Sequence, residues 1–171
     1  ITFFLTVIFD LTVAIEVGLL IACVLFMKRV METTDISVIK NEIDPNNESD
    51  LEVHEEHLMV PEGVEVYEIN GPYFFGIATK FEEIMSELGD RPKVRIIRMR
   101  KVPFIDSTGI HNLTNLCEMS KKENIHIVLS GVNEKVHKVL EKAGFYDLLG
   151  EDNICPNINV ALEKAKAIVE K

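Results

Sequence analysis

The chain has 171 residues, a hydrophobic fraction of 47% and a net charge of −10, enough length for one ordinary domain with extensions. The negative balance excludes a generally basic nucleic-acid binder, so no nucleic acid is expected as a partner. Cys23, Cys117 and Cys155 stand far apart with no Cys-x-x-Cys spacing, which speaks against a zinc site or a secreted disulfide scaffold and fits a reducing compartment.

The first predicted element is apolar. Residues 3–27 carry only two charged side chains, Asp10 and Glu16. As an α-helix they would extend about 37 Å at about 1.5 Å per residue, enough to cross a hydrocarbon core of about 30 Å. Lys28 and Arg29 follow the run, whereas a signal peptide places its basic residues first. Residues 1–30 are therefore expected to be a transmembrane helix, with everything after residue 30 cytoplasmic. A carboxylate near a bilayer centre costs about 2.5–3.5 kcal/mol. Asp10 and Glu16 are thus expected to face a helix bundle, a cavity or a partner charge. The start at Ile1 suggests a piece of a longer protein whose other helices supply those partners.

Residues 31–63 hold ten acids against one lysine and show little apolar periodicity at their start. This acidic linker is expected to act as a tether, partly ordered against its neighbours. His54 and His57 lie within it, but two histidines without a third ligand do not nominate a metal.

Residues 64–171 are nearly charge-balanced and patterned. Val64 to Ile69 alternate, Asn70-Gly71-Pro72 turns, and Tyr73-Phe74-Phe75 resumes, which predicts a hairpin. Phe81, Ile84, Met85 and Leu88 share a helical face. A strand is predicted over 94–99, then a helix over 107–122 that buries Ile110, Leu113, Leu116 and Cys117. A strand over 125–129 precedes a helix marked by Val136, Val139, Leu140 and Ala143 and closed by Gly144. A short apolar piece, 145–149, leads to a last helix with Ile158, Leu162, Ala165 and Val169 inward. Strands alternating with helices predict an α/β fold, a mixed β-sheet with helices mainly on one face. Such a domain is expected to close its own core, so that a fragment beginning near Leu58 folds alone.

The chemistry-bearing stretch runs from Arg98 to Gly109. A strand ends in a loop that opens a helix, and Asp106 or Ser107 can cap it. Gly109 lets another surface approach the first turn. Helix N-termini welcome anions, and Arg98, Arg100 and Lys101 lie just upstream. Ser107 lacks the Gly-x-Ser-x-Gly elbow of a nucleophile, and His111, one turn on, has no orienting acid in view. No catalytic residue and no cofactor are expected.

Ile105-Asp106-Ser107-Thr108-Gly109, the order of elements around it, and Glu141-Lys142-Ala143-Gly144-Phe145 resemble the STAS domain. Bacterial anti-sigma-factor antagonists and the cytoplasmic tails of SulP anion transporters share that domain. Residues 10–18 followed by Leu25-Phe26-Met27-Lys28-Arg29 are similar to the last transmembrane helix of SulP proteins. The resemblance implies the C-terminal part of a membrane anion transporter, a homodimer moving sulfate, bicarbonate, chloride or dicarboxylates through helices that precede this stretch. It implies an interaction loop of Asp106, Ser107, Thr108 and Gly109, open to a cytoplasmic protein partner. In antagonists the serine at the position of Ser107 is phosphorylated, and nucleotide binding would draw on Arg98, Arg100 and Lys101. The alternative implied is an anti-sigma-factor antagonist working as a serine phospho-switch.

Overall fold

In a computed structural model the described residues are 11–32, 35–39, 42–43, 58–73 and 91–170. They fall into two units that divide between Thr33 and Thr34.

The first unit contains helix α1, Leu11–Glu32. Its segment Leu11–Arg29 is 19 residues long with a mean hydropathy of 2.2, long and apolar enough to cross a membrane. Leu19, Leu20, Val24, Leu25 and Phe26 all lie open. A helix that is apolar all round suits lipid or other helices better than water. Glu16 sits exposed in its amino-terminal half; Asp10 lies outside the described residues.

The second unit is built on a five-stranded sheet of order β1-β4-β5-β6-β7. The strands are β1 (Asp35–Ile39), β4 (Val64–Asn70), β5 (Val94–Arg98), β6 (His126–Ser130) and β7 (Ile154–Cys155). A separate pair joins β2 (Glu42–Ile43) to β3 (Leu58–Met59). β1 runs antiparallel to β4, and the other neighbours are parallel. The helices are α2 (Ser107–Lys122), α3 (Glu134–Lys142), α4 (Phe145–Leu149) and α5 (Ile158–Val169), with a 3-10 turn at Glu151–Asn153.

Parallel strands covered on both faces read as near-continuous apolar runs, and every residue of β5 is buried. On one face Tyr67, Ile97, Ile127 and Leu129 pack with Leu113 and Cys117 of α2, Val136 and Leu140 of α3, and Phe145 of α4. On the other, Val66, Val94, Ile96 and Val128 pack with Ile158, Ala161, Leu162 and Ala165 of α5. Among the described residues, three helices on one face and one on the other give the mixed fold expected of the sequence. Asn133 and Asn157 cap α3 and α5 through their side-chain oxygens, satisfying backbone N–H groups that a helix start leaves open.

Several local expectations change. The hairpin is absent among the described residues: the antiparallel partner of β4 is β1, and Tyr73 forms a parallel bridge to Ile105. The turn fails to fold back because the Gly71 N–H donates to the Lys101 carbonyl at 3.3 Å, tying it to the loop beyond β5. Part of the acidic stretch, Asp35–Ile39, forms the sheet's edge strand. On α3, Val139 is 38% exposed and Ala143 is exposed, because only Val136 and Leu140, one turn apart, meet the core. Ile110 is half-buried rather than buried, while Val169 is half-buried against the α5 core. Phe74, Phe75 and the helix predicted through Phe81, Ile84, Met85 and Leu88 lie outside the described residues.

Candidate functional site: the loop that opens helix α2

The loop after β5 is held from below. Val102 and Ile105 are buried, and the Val102 N–H donates to the Met99 carbonyl at 3.0 Å. Tyr73 stitches its other side: its N–H donates to Phe104 O at 3.0 Å, and its carbonyl accepts from the Asp106 N–H at 3.4 Å. Between these anchors Phe104 is 51% exposed.

Of the two capping candidates, Asp106 is the cap. Its backbone is extended, and its Oδ1 accepts from the Gly109 N–H at 2.7 Å. A carboxylate at this end also suits the helix dipole. Ser107 and Thr108 are exposed on the first turn, while Gly109 is buried. A Cβ on Gly109 would stand 2.3 Å from the Tyr73 carbonyl oxygen and 2.8 Å from Ile105 Cγ1. The close neighbour inferred for this glycine is therefore the chain's own Tyr73.

Of the basic residues upstream, Arg98 and Lys101 both face Glu68. Arg98 shares a strand face with Val94 and Ile96, which pack against α5, so the sheet stands between its side chain and α2. Arg98 Nη1 lies 3.5 Å from Glu68 Oε1, and Lys101 Nζ lies 3.4 Å from the same oxygen. Burial, and then the charge of Arg100, holds the Arg98 guanidinium below its usual value. Glu68 escapes sequence reasoning because its role depends on which strands pair.

The histidines go elsewhere. The His111 ring meets the Asn115 amide at 3.2 Å, and His137 meets the Tyr146 hydroxyl. A cavity of about 350 Å³ lined by Cys117, Lys121, His126 and Leu149, among others, lies at the amino end of β6, away from the motif.

Residues 57–161 match the model of the STAS domain. The "Putative sulfate transporter YvdB" of Bacillus subtilis is 29% identical over 159 residues, covering 89% of this chain and 27% of that protein. The chain thus spans about a quarter of the length of this curated relative. A crystal structure of a sulfate transporter family protein from Wolinella succinogenes is 43% identical, with a TM-score of 0.63, over 67% of this chain and 93% of that one. An anti-sigma factor antagonist from Mycobacterium paratuberculosis shares the fold alone, at 17% identity and a TM-score of 0.51 over 77% of this chain and 95% of that one. With a STAS match over most of its length and a close sulfate-transporter likeness, the chain belongs to the STAS-domain family, on its sulfate-transporter (SulP) side.

Proposed function

We propose that the chain is the C-terminal region of a secondary-active inorganic-anion transporter of the sulfate, bicarbonate or dicarboxylate class. In this reading residues 1–30 are the last transmembrane span, residues 31–63 connect it, and residues 64–171 are a cytoplasmic STAS domain serving regulation and protein interaction. The observation that carries it is the succession, in one chain, of a membrane-length apolar helix with open apolar sides and a STAS sheet. A lone helix bearing Glu16 is a poor span, which favours a transmembrane bundle, assembled as a homodimer in the plasma (inner) membrane, as its setting.

The exposed first turn of α2 is the interaction surface in this reading, with Ser107 its regulatory position. The test is uptake of labelled sulfate, bicarbonate and dicarboxylates into vesicles holding the full-length protein. Saturable uptake of one of them supports the proposal; failure of all three across a range of imposed H⁺ and Na⁺ gradients contradicts it.

The anti-sigma antagonist reading keeps one point in its favour, the accessibility of Ser107. It leaves α1 without a purpose.

A further inference from the structure

Helix α2 ends over a hollow. Cys117 and Lys121, one turn apart, share a face of that helix. Asn124 then takes a left-handed turn, with φ 59°, and the chain re-enters the sheet at His126. Three late α2 carbonyls are met inside this turn. Those of Met119, Ser120 and Lys121 accept from the Glu123, Ile125 and Asn124 N–H groups at 3.1, 2.8 and 3.2 Å. The opposite wall is Leu148 and Leu149 at the end of α4, where the Asn153 amide donates to the Leu149 carbonyl at 2.6 Å. The space between holds about 350 Å³, within the range of small-molecule pockets, about 300–1,000 Å³.

Its lining divides by polarity. Cys117, Ile125 and Ile127 are buried and, with Leu149, give an apolar floor. Lys121 and His126 stand exposed at the rim. Among the described residues, neither the Lys121 ammonium nor the His126 ring has an ion pair or hydrogen bond. No Asp or Glu among those residues lines the cavity, in a chain whose net charge is −10. Glu118, whose charge reaches the Cys117 thiol, is exposed and lies outside the lining. A helix end is negative through its unsatisfied carbonyls, and the three bonded ones reduce that charge here. An apolar floor under a rim with a lysine and no carboxylate matches a molecule with one anionic head and one apolar body.

We propose that this cavity binds a free medium-chain monocarboxylate. Its alkyl chain lies on Cys117, Ile127 and Leu149, and its carboxylate meets the Lys121 ammonium and the His126 ring N–H. A single lysine suits one carboxylate rather than a polyphosphate, and the apolar floor offers nothing to a second charge. The site belongs to the STAS domain and stands independently of the transport reading.

The 171-residue chain in zwitterionic lipid nanodiscs, titrated with sodium octanoate at constant ionic strength, tests this by amide NMR shifts. Saturable shifts at Cys117, Ile127 and Leu149 are expected, with affinity at least about tenfold above that of acetate, which lacks the chain. Lys121→Gln should weaken octanoate several-fold while leaving the binding of uncharged octanol, and the spectrum without ligand, unchanged. Leu148 is 38% exposed at the wall of the cavity, so Leu148→Trp should narrow the space and weaken octanoate and octanol alike. Octanoate shifts no larger than those of acetate would overturn the proposal. So would equal octanoate affinity in the parent and Lys121→Gln, or unchanged affinity in a folded Leu148→Trp chain. Shifts confined to residues 11–32 would mean octanoate dissolved in the bilayer only. The same cavity shifts produced by anionic-lipid nanodiscs without octanoate would assign the site to a headgroup and overturn the free acid.

Discussion

At Gly109 one methyl group decides whether α2 can begin where it does. Alanine normally favours a helix over glycine by about 1 kcal/mol, yet its Cβ would meet the Tyr73 carbonyl at 2.3 Å. The obstacle is backbone, so Gly109→Ala should cost about 1–3 kcal/mol, measured by urea unfolding. Three residues earlier, Asp106→Ala should cost about 0.5–2 kcal/mol through loss of the cap. Ser107→Ala should be nearly neutral, because the serine hydroxyl is exposed and Asp106 makes the capping bond. The reverse order of these two costs would contradict the assignment of the cap. Both residue types cap well, which is why the sequence leaves the choice open; the 2.7 Å bond to Gly109 decides it. Ser107→Glu should leave the fold intact while changing partner binding or transport rate in the full-length protein. Parent values for both in a folded Ser107→Glu protein would make the motif a helix cap and nothing more.

Cys117 adds a prediction about alkaline pH. Its thiol, ordinarily near 9, is pushed up to about 12 by burial and then by the Glu118 charge. Below pH 9 folded and unfolded chains both hold this proton. Between 9 and 12 only the unfolded chain releases it, so stability falls as pH rises through that window. Burial raises Tyr67 and Tyr73 in the same direction, steepening the loss above about pH 10. The melting temperature should hold level up to about pH 9 and then decline, and a level trace to pH 11 would contradict it.

Among the elements, β1 changes the picture most. The alternation of Val64 to Ile69 makes a strand legible, but alternation names no partner. Tyr73 is near in sequence and β1 is distant, so the nearer candidate is favoured until Gly71 is seen bonded to Lys101. The helices over 107–122 and 158–169 were readable because their apolar spacing matches the faces they bury. Val139 lies exposed because a helix as short as α3 presents a narrower stripe than its apolar count suggests. A fragment beginning at Leu58 removes β1 and bares the backbone edge of β4, an invitation to pair with another chain. Sedimentation should show a fragment from Thr34 as monomeric or weakly dimeric, and the Leu58 fragment as more associated and less stable. Equal behaviour of the two would mean that β1 contributes little.

At the scale of the whole molecule, composition already separated an apolar helix, an acidic connection and a balanced α/β domain. The net charge of −10 belongs mostly to residues 31–63, so the domain itself is not strongly acidic. The motif around Ser107 was legible as a helix start, but the approach of Arg98 and Lys101 to Glu68 was not, since it depends on β5 pairing with β4. The central claim is a membrane span carrying a STAS domain on its cytoplasmic side. Its most direct test is Asp35→Cys with Cys23→Ser in the full-length protein, labelled by a membrane-impermeant maleimide in sealed, right-side-out vesicles. Cys117 and Cys155 are buried and should stay silent. Labelling of position 35 only after the vesicles are opened is expected; labelling of intact vesicles from outside would contradict the account.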